Sequence, residues 1–345
     1  MAKKESGPSP ASVIKDIKAN VLAPVYFLHG DESFYIDEIS SVIEKDVLSE
    51  ADKGFNQTIM YGKDVDMATV LNAARRFPMM AERQVVIVKE AQEIADLSKE
   101  NGQRQLLAYI KNPLPSTVLV FCHKHKKLDG RSALSKELKK HVIFITTAKL
   151  YDNQVPGWIE QHVKSLGHTI EPKATIMLAE SIGNDLERIN GEVQKLLLNF
   201  TDKVNITPDL IQRYIGISKE YNVFELQKAL GVGDIVKANR IVNYFATNTK
   251  KHSPIALVGL LYSFFTKLMQ LHHHKAYGDR EIAQVLGISP FIARDYVPAL
   301  RTFPVLKTLQ NIAWLAEADR KTKGIESGSI SPGDIMKELV YKLLH

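Results

Sequence analysis

The sequence predicts an α/β domain on a parallel sheet, followed by helices to the end of the chain. Three observations carry this. Short β-branched and aromatic runs recur through the first 150 residues, at 24–29, 85–88, 117–121 and 141–145. Helical patterns lie between them, which calls for parallel strands covered on both faces. After about residue 150 the strand signals fade and apolar residues recur at helical spacing.

The first run, residues 24–29, ends at Gly30 and leads into a polar helix over 33–49. Asp64 and Asp66 are cap candidates for the next helix. Its stripe is Met67, Val70, Leu71, Ala74 and Phe77, and Pro78 stops it. Further helices are expected over 103–111 and 133–140. Beyond the sheet, helices are expected over 156–166, 173–181 and 185–199, the last with Leu186, Ile189, Val193 and Leu196 on one stripe. Thr207 and Pro208 form a cap and first-position proline. From Tyr221 onward the pattern is helical, with breaks at 231–233, 251–254 and 329–333.

Composition bounds the function. The chain has 345 residues, 45% hydrophobic and 24% charged, which excludes disorder as the dominant state and implies two or three domains. One cysteine, Cys122, allows no intramolecular disulfide and fits a cytoplasmic address. The amino terminus MAKKESGPSP lacks a signal-peptide core. The apolar run 255–271, interrupted by Ser263, Thr266, Lys267 and Gln270, reads as a core helix too short and polar to span a bilayer. A net charge of +6 permits a nucleic-acid partner without demanding one.

A strand, a glycine and a helix in succession mark the usual position of a phosphate-binding loop. Such a loop needs several glycines and a lysine. Here the loop is Gly30, Asp31, Glu32 and Ser33, with one glycine, no lysine and two carboxylates. The carboxylates suit a helix start and repel phosphate. The run Val85 to Val88 leads into Lys89 and Glu90, where many ATPases carry an Asp-Glu pair that helps hold magnesium. A protonated lysine ligates no metal. Both losses describe an ATPase scaffold kept without its chemistry.

With further matches, this pattern resembles the delta subunit of the bacterial DNA polymerase III clamp loader. The matching segments run from Pro24 to Phe34, Arg83 to Val88, Lys127 to Arg131 and Lys149 to Asn153. They continue with Gly183 to Leu186, Glu192, Lys195 and Leu196, then Tyr221 to Leu226, Glu317 to Arg320, and Lys323 with Gly324. Each is short, and together they run through nearly the whole chain in the family's order.

The resemblance implies an AAA+-like clamp-binding domain over 1–150 with a degenerate phosphate loop that binds no ATP. A small helical lid domain over 151–217 and an all-α collar over 218–345 follow. It implies no catalytic activity and no cofactor or metal, in a subunit of the polymerase holoenzyme. The implied partners are the sliding clamp, whose interface the first domain holds open, and the other loader subunits through the collar. Primed DNA is the third partner, met without sequence preference. The family's clamp contact is an apolar pair after the helix that precedes the second run. Here it falls on Met79 and Met80, beside Phe77, where many relatives carry leucine and phenylalanine. Methionine suits such a contact because it is flexible and polarizable.

Two alternatives come from other signals. One is an active AAA+ ATPase, against which the missing phosphate loop stands. The other is a DNA-binding regulator using a helix-turn-helix over 281–300 with Gly287 at the turn. Its would-be recognition helix holds only Arg294 and Arg301 as positive residues, so two packed helices are favoured. Three adjacent histidines, His272 to His274, point about 100° apart on a helix and do not share one ion. Cys122, His123 and His125 have no second cluster with metal spacing. The basic runs at 124–127, 136–140, 250–251 and 320–323 are scattered and read as solvated faces.

Overall fold

A computed structural model describes residues 8–218, 221–250, 252–288, 290–325 and 328–345. Met1 to Gly7, Lys251 and Ser289, which enter the readings above, lie outside the described residues. The chain forms two compact units, Met1–Leu150 and Tyr151–His345.

The first unit contains α1 (Pro10–Lys18), β1 (Val25–Gly30), α2 (Ser33–Asp46), α3 (Glu50–Asn56), β2 (Gln57–Tyr61) and α4 (Met67–Ala74). Next come β3 (Gln84–Lys89), α5 (Glu100–Lys111), β4 (Thr117–Lys124), α6 (Ala133–His141) and β5 (Ile143–Thr147). The sheet order is β2-β3-β4-β1-β5 and every pairing is parallel. Strands β1, β3 and β4 are apolar almost throughout because both faces are covered. On one face Tyr26, Leu28, Val85, Ile87, Val118 and Val120 pack with Ile36, Ile39 and Ile43 of α2. On the other, Phe27, Val86, Val88 and Phe121 pack with Val70 and Leu71 of α4 and Leu106 of α5.

The parallel sheet matches the sequence expectation, with one added strand. Strand β2 is an edge, and its Gln-Thr-Ile-Met-Tyr run is half exposed, so it carries no buried-strand signal. The last strand begins at Ile143 because α6 runs on to His141.

The second unit holds α7 (Val155–Ser165), β6 (Thr169–Ile170), α8 (Pro172–Ile182), α9 (Leu186–Leu197), β7 (Asn205–Ile206) and α10 (Pro208–Leu210), which continues as a π-turn over Ile211–Ile215. Then follow α11 (Val223–Val232), α12 (Ile235–Thr247), α13 (Pro254–His274), α14 (Asp279–Leu286), α15 (Pro290–Thr302), α16 (Val305–Thr322) and α17 (Pro332–Leu344). Asp185 and Thr207 cap helices as their types suggest. The expectation that strands end at residue 150 is corrected by a two-residue parallel ladder, β6 with β7. These pairs are too short to leave a sequence signal. At 21 residues α13 is longer than its apolar run, and by length and composition alone it reaches bilayer-spanning size. Leu257, Val258, Leu261, Phe264, Phe265, Leu268 and Leu271 bury it in the helical core instead.

Candidate functional site

In an open parallel sheet, ligands bind beyond the carboxyl ends of the strands, where the strand order reverses. At that edge the chain's own groups make the contacts. Gly30 at the end of β1 has φ 143°, and a Cβ there would lie 2.0 Å from the Thr147 carbonyl oxygen. The Asp31 N–H donates to that same oxygen at 3.2 Å. The loop is therefore drawn onto β5, not opened around a phosphate. Glu32 is buried and caps α2, accepting from the Phe34 N–H at 3.1 Å. Its carboxylate occupies the helix start where a phosphate would seat. Asp31 pairs with Lys127 at 2.9 Å. Of the two carboxylates expected to start the helix, Glu32 caps it and Asp31 faces Lys127 instead.

Two further lysines of this edge are ion-paired. Lys124 reaches Asp37 of α2 at 2.7 Å and Glu90 at 3.4 Å. Burial works against its charge, but the hydrogen bond and charge of Asp37, with Glu90, hold its pKa above the ordinary lysine value. Burial raises Glu90, yet Gln92 and Lys124 outweigh it and bring the carboxyl below its usual range. Lys89 pairs with Glu44 at 3.1 Å. Deeper in, His29 accepts from the Leu128 N–H at Nδ1 (3.3 Å), which leaves Nε2–H to donate to Thr146 Oγ1 at 2.9 Å. Burial, then His123 and nearby lysines, push its pKa down to about 4, so the imidazole is neutral. Burial pushes the Cys122 thiol up to about 12. Among the described residues no three His, Cys, Asp or Glu are grouped to hold a metal.

A second feature lies at the opposite edge of the sheet, between α4 and β3. Asp66 caps α4, its carboxylate accepting from the Thr69 N–H at 2.8 Å. Met67, Val70, Leu71 and Ala74 form the buried stripe. Phe77 does not continue it: the helix ends at Ala74 and Phe77 is 76% exposed. The reason is a set of side chains from other elements that take the last carbonyls. The Ala74 carbonyl accepts from Thr117 Oγ1 at 2.9 Å and from the Tyr109 hydroxyl at 3.3 Å. The buried Gln84 amide donates to the carbonyls of Ala73 and Arg76. Pro78 then prevents resumption.

Beyond this stop stand Met79, 62% exposed, and Met80, fully exposed with φ 54°. The Met79 peptide is gripped by Asn56 at the end of α3, and Arg83 Nη1 donates to Asn20 Oδ1 at 2.8 Å. Phe55, next to Asn56, is 75% exposed. Asn56, Gln84 and Phe55 are not distinguishable in the sequence. A lone polar residue between a helix and a strand looks like any surface position.

The other motifs resolve into structure. Gly287 adopts the left-handed conformation at the turn between α14 and α15, and a Cβ there would meet Asn153 Nδ2 at 3.2 Å. Helix α15 buries Ala293, Tyr296, Ala299 and Leu300, and its Asp295 pairs with Lys228 at 3.2 Å. It is a core helix, not a free recognition helix. His272 Nε2 donates to the Phe303 carbonyl at 2.8 Å. A groove of about 830 Å³ in this unit carries Lys173, Lys237 and Arg240, offset by Glu171, Glu225 and Asp234.

A doubly covered parallel sheet with ion pairs at its carboxyl edge and an exposed methionine pair at its amino edge, followed by a helical unit, places the chain among α/β proteins built to carry further helical domains. The chain belongs to the delta-subunit family of DNA polymerase III. The family model described as DNA polymerase III, delta subunit, matches residues 26–148, and that of the delta subunit's C-terminal domain matches 220–342. The DNA polymerase III subunit delta of Bacillus subtilis is 28% identical over 320 residues, covering 90% of this chain and 91% of the relative. A probable DNA polymerase III subunit delta of Aquifex aeolicus is 23% identical over 262 residues, covering 74% and 72%. The solved Bacillus subtilis DNA clamp loader delta protein superposes with a TM-score of 0.56 at 26% identity, covering 97% of this chain and 99% of that one. The chain is thus a clamp-loader subunit of the polymerase holoenzyme.

Proposed function

We propose that this subunit binds the sliding clamp through Met79, Met80 and Phe77 and holds one interface of the ring open for loading onto primed DNA. The observation that carries the proposal is the exposed Met79-Met80 pair on a tip fixed by hydrogen bonds from α3 and β3. Two methionines entering an apolar groove supply about 3–6 kcal/mol before ordering costs. Residues 1–150 act as the clamp-binding domain, 151–217 as the lid and 218–345 as the collar that joins the other loader subunits. DNA is met through backbone phosphates, without sequence preference and with salt sensitivity. The subunit works in the cytoplasm and has no catalytic activity of its own. The ion pairs that fill the carboxyl edge of its sheet support that reading.

The test is surface plasmon resonance of the full chain on immobilised clamp. Met79→Ser combined with Met80→Ser is expected to abolish binding while circular dichroism and the thermal melt stay as in the wild type. Unchanged affinity in the double variant refutes the assignment.

A further inference from the structure

We infer that Asn56 is a positioning residue for clamp binding: its carboxamide fixes the Met79 peptide and keeps the methionine pair presented before the clamp arrives. This rests on the reading of Met79 and Met80 as the clamp contact.

Asn56 is the last residue of α3 and is 4% exposed. A buried carboxamide must find partners for both its ends. Both go to one residue, 23 positions away: Oδ1 accepts from the Met79 N–H at 2.6 Å and Nδ2 donates to the Met79 carbonyl at 3.0 Å. Two antiparallel bonds to a single residue set the orientation of its backbone as well as its position. The consequence appears one residue on. Met80 holds φ 54°, a left-handed conformation uncommon for a long side chain. This backbone points Met80 fully into solvent. Gln84, donating to the Arg76 carbonyl, secures the other flank.

An apolar tip left to itself folds its methionines against the nearest surface, and binding then waits for the minor, extended form. Observed affinity falls by the competent fraction. A residue that raises this fraction acts on association. A residue that touches the clamp acts on dissociation. Asn56 is buried beneath the tip, which places its effect in the first class.

The experiment measures association and dissociation rates on immobilised clamp for the wild type, Asn56→Ala, Asn56→Asp and the Met79→Ser, Met80→Ser double variant, each with its thermal melt. Asn56→Asp keeps the acceptor for the Met79 N–H and loses the donor for its carbonyl. Asn56→Ala is expected to associate about tenfold more slowly, equivalent to about 1.4 kcal/mol, with dissociation changed by less than about twofold. Asn56→Asp sets a carboxylate oxygen against the Met79 carbonyl and is expected to slow association at least as much. Wild-type association in Asn56→Ala overturns the inference, as does an effect confined to dissociation. Should Asn56→Ala lose its cooperative melt, Asn56→Asp carries the same comparison, and loss of the melt in both overturns the positioning role in favour of a core one. If the methionine double variant binds normally, the clamp reading itself fails. If it is dead while Asn56→Ala is normal, only the inference fails.

Discussion

Acidification from about pH 7.5 to about pH 5.5 shifts the contributions of Glu180 and His29 to stability in opposite directions. Glu180 lies on α8, and its Oε2 is buried without a hydrogen-bond partner. Burial, with Asp295 adding and Lys267 opposing, raises its pKa from the ordinary 4.5 to about 7. The folded unit then holds a proton that the unfolded chain releases, so stability rises as pH falls through 7 and the gain is complete near the unfolded value. Over the stated interval this amounts to about 2 kcal/mol. His29 runs the other way. Its folded pKa of about 4 lies below the ordinary 6.5. The unfolded chain takes up the proton first, and the first unit loses about 1 kcal/mol over the same interval. His123, also lowered by burial, adds to that loss.

The interval stays above the carboxylates whose pKa is lowered, such as Glu225, Glu317 and Glu338. His162, lowered by burial, opposes Glu180 within the second unit, so the decisive quantity is the difference between the wild type and Glu180→Gln. Both tryptophans, Trp158 and Trp314, lie in the second unit, so urea denaturation followed by their fluorescence reads that unit. Hydrogen exchange at the amides of β1 and β4, corrected for intrinsic rates, reads the first unit in the wild type and in His29→Gln. Parallel stability–pH curves for the wild type and Glu180→Gln refute the buried-carboxyl argument. Equal loss of β1 protection in the wild type and His29→Gln refutes the imidazole argument.

Two further outcomes concern the carboxyl edge of the sheet. Gly30→Ala forces a Cβ to 2.0 Å from the Thr147 carbonyl oxygen at a φ of 143°, and is expected to destabilise the first unit by at least about 3 kcal/mol, read as lost exchange protection in β1 and β5; a wild-type exchange pattern contradicts it. Millimolar ATP with magnesium is expected to leave the melting temperature unchanged, because a ligand that binds the folded state raises it; a saturable rise in differential scanning calorimetry contradicts that expectation.

The buried strands were legible because each is covered on both faces, and a doubly covered strand must be apolar throughout. Val85 to Val88 and Val118 to Cys122 show it. Strand β2 was not, since an edge strand with one open side admits Gln57, Thr58 and Tyr61. Caps were legible at Asp66 and Thr207 because the capping bond is local, whereas Asp64 lies in a 3-10 turn and caps no helix. The end of α4 was not. Phe77 keeps the helical period, and what stops the helix is Thr117, Tyr109 and Gln84, brought in by tertiary folding. The same limit applies to the site. The absent phosphate loop is a statement about residue types and reads directly from Gly30, Asp31 and Glu32. The ion pairs that replace it join Lys124 to Asp37 and Glu90 across long stretches of chain. Met79 and Met80 were reached through the family resemblance, and their support from Asn56 leaves no mark in the sequence.

The tip and the carboxyl edge of the sheet stand apart in the first unit. In a parallel sheet the ligand edge lies at the carboxyl ends of the strands, where Gly30 and Lys124 stand. The α4–β3 connection lies at the amino ends, so the two are separated by a strand of six residues, about 20 Å. None of the bonds that hold the tip passes through the ligand edge: Asn56 to Met79, Gln84 to Arg76 and Arg83 to Asn20 all lie at the amino side. Filling the phosphate position with Glu32 and pairing its cations with Asp31, Asp37 and Glu90 therefore leaves the tip untouched. The bonds that hold the methionine pair out do not involve these ion pairs. In the proposed function, a change at the carboxyl edge of the sheet is therefore expected to leave clamp binding by the tip unaltered.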